Sequence, residues 1–334
     1  MAVGSVPLTD PEGAVELILR ATPQIPAWPQ LPRRSFLENM YVQFSDGLPG
    51  RILDVTNERL WVRNELPPDE LIAFVEHVEA DDLDAFAITP EYAAGLPALE
   101  QALRGYQAPY VKGQVTGPVS FGLSVPREDR RALLYDDTLR EVATTLLTMK
   151  ARWQERLLRA WAPTAVPLMM VDEPYLTKLG SAMLSIPAEL TFPPLTALME
   201  AMGCLTGIHI CGGTAWEDVV DLPVDVLNFD AADHLEAVTC RREAIASFVA
   251  EGGFLAWGAI PNDERAAIDD GEGCGRRVLE GADALAVTGA VSVDEVLAAS
   301  FVSPACGTGS LPEELALTCF ELTTRCSEWL RERL

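Results

Sequence analysis

The sequence predicts a single (β/α)8 barrel with an irregular N-terminal extension. Three observations point there. Apolar, strand-like runs alternate with amphipathic helical stretches through the last two thirds of the chain, the pattern of a parallel sheet covered on both faces. Four or five such units are clear, more than one half of a doubly wound domain holds. The length, 334 residues, suits one barrel with an extension. The whole chain, 1–334, is therefore expected to be one catalytic barrel.

The elements follow in order. A short strand is expected near residues 3–6. Residues 20–105 are proline-rich and irregular, as in the run PQIPAWPQLPRR, and are expected to wrap the core. YVKGQVTG is a strand closed by Gly117-Pro118. A long helix spans 137–161, where Leu139, Val142, Leu146, Met149, Trp153 and Leu157 recur at three and four. Asp136 or Asp137 caps it and Pro163 ends it. VPLMMVDEP is an apolar strand that ends in acids, and a helix over 193–202 follows. LTGIHICGG is a strand that ends in two glycines, and TAWEDVVDL is a short helix with Thr214 near its cap. VDVLNFDAA is a strand, 242–250 a helix and FLAWGAIPN a strand. FVSPACG is the last strand, and a helix begins near Pro312. The run Gly271-Glu272-Gly273-Cys274-Gly275 follows acids rather than a strand, so it reads as a loop and not as a phosphate cradle.

Composition narrows the function. Apolar residues make up 49%, which excludes a mainly disordered chain. Lys and Arg number 25 against 50 Asp and Glu, a formal net charge of −25. Binding to nucleic acid or to an anionic membrane surface requires cations, so neither partner is expected. The N-terminus has no basic segment followed by an apolar one, which predicts no signal peptide. Seven scattered cysteines, an odd count, argue against a disulfide framework, and a cytoplasmic location is expected. Cys204, Cys240, Cys319 and Cys326 read as packing residues. The three lysines, Lys112, Lys150 and Lys178, sit in no obvious site motif, and no Ser-His-Asp arrangement stands out.

The reactive residues gather where strands end, which is where parallel α/β folds place their sites. In Gly207-Ile208-His209-Ile210-Cys211-Gly212-Gly213, His209 and Cys211 are two apart and share a strand face, with the isoleucines on the other. An imidazole and a thiolate so placed can hold one zinc. Alone the pair is equally a core histidine beside a buried cysteine. Cys306, at the end of the last strand, is the best candidate for a third ligand. Asp230 is either a fourth ligand, a helix cap or an acceptor for His209. Asp172 and Glu173 end their strand, and an inward carboxylate there either holds a substrate ammonium or caps the next turn.

In this order the motifs resemble the catalytic domain of cobalamin-independent methionine synthase, together with the related corrinoid:thiol methyltransferases and the wider uroporphyrinogen decarboxylase-like superfamily. The matching pieces are Gly4-Ser5-Val6-Pro7, Thr116-Gly117-Pro118-Val119, Val171-Asp172-Glu173-Pro174, His209-Ile210-Cys211-Gly212, Val224 to Asp230, and Pro304-Ala305-Cys306-Gly307. The resemblance implies a barrel with zinc at the strand ends, held by His209, Cys211 and Cys306. The family's Glu ligand falls on Asp230, a shorter acid. It implies that Asp172 binds the amino group of homocysteine and that Ser5 lies in the substrate site. The family's second amine-binding Glu motif has no clear match, and Glu173, next to Asp172, is a further substrate-binding candidate. The chain has no second barrel of the kind that holds polyglutamyl folate. A methylated corrinoid on a partner protein is therefore the expected donor, with a small thiol as acceptor. The alternatives are another thiol, the demethylating direction, or a non-catalytic accessory that binds zinc or a corrinoid.

Overall fold

The computed structural model describes residues 1–178 and 186–334. Two short strands, β1 (Arg51–Asp54) and β2 (Arg59–Val62), pair as an antiparallel hairpin. Six more form one parallel sheet in chain order: β3 (Tyr110–Thr116), β4 (Val166–Asp172), β5 (Leu205–Ile210), β6 (Val226–Asp230), β7 (Phe254–Ile260) and β8 (Ser300–Pro304). Helices lie between every successive pair.

Among the described residues six strands, not eight, make the continuous ladder. The segments around Ser5 and Ala27 add single parallel bridges, Ala27 to Lys112 and Ser5 to Gln30. Lys112 donates its backbone N–H to Pro26 at 2.8 Å, and Gln30 donates to Gly4 at 3.1 Å. On the far side Thr308, just past β8, donates to Ser5 at 2.9 Å. Pro7, Pro26 and Pro29 have no N–H to give, which keeps these segments from growing into full strands. The region 20–105 is more regular than expected. It holds the β1–β2 hairpin and helices at Pro68–Glu79 and Gly95–Ala102, and its Trp28, Phe44 and Leu99 join the main core.

Side chains alternate across the sheet. Val111, Val115, Met169, Val171, Ile208, Ile210, Leu227 and Phe229 pack outward in the main core. Leu168, Met170, Val226 and Ala256 form a separate apolar floor on the inner face. Gly207 makes this possible, since a Cβ there would lie 2.2 Å from the Met170 sulfur. Above the floor, the inner residues turn polar toward the strand ends: Lys112, Gln114 and Thr116 on β3, Asp172 on β4, His209 on β5, and Asn228 and Asp230 on β6.

The long helix is Asp137–Trp161, capped by Asp136, whose carboxylate accepts from Leu139 N–H at 3.1 Å. The helix expected over 193–202 begins earlier, at Ala188, with Pro193 and Pro194 inside it. A short helix, Pro118–Ser124, follows β3 with its proline in the first turn, where no N–H partner is needed.

The expected loop at Gly271–Gly275 is instead the start of a helix, Gly271–Ala286. Asp270 caps it through Gly273 N–H. Its glycines answer to neighbours, not to a turn. A Cβ on Gly275 would lie 2.3 Å from the Trp329 ring, and one on Gly281 would lie 2.3 Å from the Trp257 ring. Trp257 is fully buried and its indole N–H is bonded to Ser300 Oγ at 2.8 Å, so it has nowhere to go. Gly281→Ala is therefore expected to destabilise the protein by roughly 1–3 kcal/mol, despite the ~1 kcal/mol that alanine gains in a helix. A denaturant midpoint at or above that of the parent protein would refute this. Cys319 and Cys326 are buried as expected, whereas Cys240 is exposed. Among the described residues no helix is long and apolar enough to cross a membrane.

Candidate metal and substrate site

β5 ends at Ile210, so His209 is its last inward residue and Cys211 lies just past the ladder, where the chain bends. Cys306 stands two residues beyond the end of β8. The curled sheet brings these separate ends together. One ligand atom each from His209, Cys211 and Cys306 all lie within 4.8 Å of one another. No other group of three or more metal-ligating residues assembles among the described residues.

His209 is aimed by Asn228. The Asn228 amide nitrogen donates to the Ala256 carbonyl at 2.8 Å and to Ser303 Oγ at 3.0 Å. Its oxygen therefore faces His209 Nδ1, at 2.7 Å, and must accept. That places the ring proton on Nδ1 and the lone pair on Nε2. Nε2 is buried with no hydrogen-bond partner, as a metal-binding nitrogen should be. The two sulfurs face each other: the Cys306 thiol holds Cys211 below the usual thiol range against the effect of burial, and Cys306 is pushed up. Two thiols able to lose their protons and one imidazole nitrogen make a donor set that fits zinc.

Asn228 was not among the residues singled out from the sequence. Its signal is alternation, since it shares the inner face with Asp230 within an apolar strand. Asn228→Leu is expected to weaken zinc binding roughly 10- to 100-fold, measured by chelator competition. Unchanged affinity would remove Asn228 from the metal's support.

Asp172 lies beside the cluster, its Cα in register with His209 on one side and Thr116 on the other. Its Oδ1 is buried without a partner. Burial pushes Asp172 up to about 6, against the pull of His209 and Lys112. Lys112, another residue without a sequence signal beyond alternation, is fully buried beneath it. Its ammonium donates to the Val3 carbonyl at 2.6 Å and to Gln114 Oε1 at 2.8 Å. Burial lowers Lys112 to about 8, and the Asp172 charge opposes this.

The other candidates are occupied locally. Glu173 is buried, and its carboxylate accepts from Val119 N–H at 2.9 Å, Ser120 N–H at 2.8 Å and Ser120 Oγ at 2.5 Å. It caps the Pro118–Ser124 helix. Gly117 is needed for this, because a Cβ there would lie 2.1 Å from Glu173 Oε1. Asp230 is outside the cluster of three, and its Oδ1 accepts from Asp233 N–H at 2.9 Å. Ser5 supports the Cys306 loop. Its carbonyl accepts from Thr308 and its Oγ accepts from Gly309 N–H at 3.3 Å. A Cβ on Gly307 would lie 2.3 Å from that Oγ.

This architecture is found in solved structures. A B12-independent methionine synthase from Shewanella sp. W3-18-1, in complex with selenomethionine, superposes with a TM-score of 0.59 over 99% of this chain and 97% of its own, at 13% identity. This chain shares its fold. A putative vitamin-B12-independent methionine synthase from Listeria monocytogenes matches with a TM-score of 0.58 at 14% identity, over 96% of this chain and 86% of that one. A methyltransferase from Methanosarcina mazei matches with a TM-score of 0.51, also at 14% identity, over 94% and 85%. No protein-family model and no curated protein sequence matches the chain.

Proposed function

We propose that this chain is a zinc-dependent methyltransferase that passes a methyl group from a donor to the sulfur of a small thiol. Homocysteine, giving methionine, is the simplest case. The observation that carries this is the convergence of His209 Nε2, Cys211 and Cys306 beside the unpartnered carboxylate of Asp172. The likeness in fold to methionine synthase and methyltransferase structures supports it. The fold reading that accompanies it is a (β/α)8 barrel whose first two staves are the bridging segments around Ser5 and Ala27.

A zinc ion held by His209, Cys211 and Cys306 would supply a Lewis acid that lowers the pKa of a thiol to within reach of neutral pH. The protein's own groups do the rest. Asn228 fixes the tautomer that presents Nε2. Asp172 offers Oδ1 to the substrate ammonium and so orients the thiol toward the two cysteines. Ser5 and Glu173 hold the loops that carry Cys306 and Asp172. As the S–CH3 bond forms, the donor–CH3 bond breaks, the donor keeps the electron pair, and the thiol proton leaves to solvent.

A methylated corrinoid carried by a partner protein is the donor in this reading. It needs an open mouth rather than a second barrel. Supplying homocysteine with methylcobalamin or with methyltetrahydrofolate, in separate reactions of the zinc-loaded protein, tests both parts. Methionine from methylcobalamin is expected. Turnover with methyltetrahydrofolate alone would overturn the donor assignment, and no transfer to any thiol from either donor would overturn the function.

A further inference from the structure

A cleft of about 570 Å3 lies between the β1–β2 hairpin and the turn that follows the Pro118–Ser124 helix. Phe36, Tyr41 and Trp61 supply its aromatic walls, and Arg59, Arg127 and Arg130 its cations. Such a concentration of arginine is unexpected in a chain of net charge −25. Two glutamates, Glu58 and Glu128, also line it, and Glu128 accepts from Asn64 N–H at 3.1 Å.

The arginines differ in how far neighbouring carboxylates engage them. Arg127 reaches Asp136 at 3.2 Å and Asp129 at 4.0 Å through its terminal nitrogens, while its Nε is buried without a partner. Arg59 lies over the Trp61 ring at 5.4 Å. Arg130 forms no ion pair among the described residues and sits in the left-handed region, at φ 67°. That conformation costs a non-glycine residue about 1 kcal/mol, and such strain tends to persist where a side chain is being placed for use. The platform is firm: Val62 N–H donates to Pro126 at 3.0 Å and Glu128 N–H donates to Val62 at 2.9 Å, tying the turn to β2.

The cleft lies on the side of the sheet's β3 end, and Tyr41 is on its wall. The preceding residue, Met40, accepts from Thr116 Oγ1 at 2.7 Å, at the end of β3 in register with Asp172.

We propose that this cleft binds the methyl donor, taking a planar conjugated ring against its aromatic walls and an oxyanion on Arg127 and Arg130. Arg130 and Arg59 form no ion pair among the described residues, and arginine suits both carboxylate and phosphate. The inference rests on the methyl-transfer reading above. Two donor types share the chemistry: a reduced pterin bearing carboxylates, and a corrinoid bearing a nucleotide phosphate.

Binding is measured without thiol, so that it does not depend on turnover. The protein is titrated with methyltetrahydrofolate and, separately, with methylcobalamin, by equilibrium dialysis. Methylcobalamin is expected to bind saturably; saturation by methyltetrahydrofolate instead would keep the cleft and overturn the corrinoid assignment. Arg59→Ala/Arg130→Ala, which removes two exposed side chains, is expected to weaken that binding at least tenfold while zinc content stays unchanged. Arg127→Ala is expected to do the same if the protein remains folded. Saturation by neither donor, or equal binding by parent and double variant, overturns the cleft assignment. The two readings fail separately: methyl transfer that survives in the double variant at unchanged donor KM sinks the cleft alone, whereas donor binding at the arginines with no transfer to any thiol sinks the function alone.

Discussion

Cys211→Ser and Cys306→Ser are each expected to lose stoichiometric zinc. The three ligand atoms lie within 4.8 Å of one another and come from the ends of β5 and β8, so each cysteine supplies a soft donor that the hard carboxylate of Asp172 does not match. Serine keeps the volume of cysteine, but its hydroxyl does not ionise at neutral pH, so the soft, charged donor is removed with little change in packing. A drop in affinity of more than about 100-fold is expected, since losing a ligand costs more than losing its outer support. His209→Ala should behave alike. Metal content after dialysis against a weak chelator, with circular dichroism as the check on folding, measures this. Folded variants that keep one zinc per chain would place the site elsewhere. Asp230→Ala serves as the contrast. Its carboxylate is bonded to Asp233 N–H and lies outside the cluster, so zinc affinity should change only a few-fold.

Asp172→Asn should raise KM for an amino-acid thiol by roughly 10- to 100-fold, because a charge-assisted hydrogen bond is worth about 1.5–3 kcal/mol. For a simple thiol without an amine, KM should hardly change. The amide is isosteric, so the contrast between substrates isolates the charge. The structural reason is the buried, unpartnered Oδ1, held above an apolar floor and next to the cysteines. Equal loss on both thiols would assign Asp172 to holding the metal site together.

Much of this was legible in the chain itself. The strands β3 to β8 follow from apolar runs bounded by glycine, proline or acids, and the Asp137–Trp161 helix from its spacing and the Asp136 cap. His209, Cys211 and Cys306 were legible as candidate ligands at strand ends, although His209 and Cys211 alone read equally as core residues. The helix at Gly271–Ala286 was not, because glycine reads locally as a breaker. Only the close approach of Trp329 and Trp257 explains why glycine stands at Gly275 and Gly281.

The sequence by itself determined the order of strands and helices, the polar residues at the strand ends and the three candidate ligands, since these depend on periodicity and on chemistry within a few residues. The tertiary structure alone decided which acids are free. Asp172 and Glu173 are adjacent and look equivalent in the chain. Glu173 turns back to meet two N–H groups and a hydroxyl of a helix that begins more than fifty residues earlier, and is consumed there. Asp172 faces inward over Lys112 with one oxygen unanswered. Likewise the proton on His209 is placed by Asn228, which is held in turn by Ala256 and Ser303 on two further strands. Hydrogen bonds between distant segments carry no local signature, so the availability of a side chain is settled only when the strands come together.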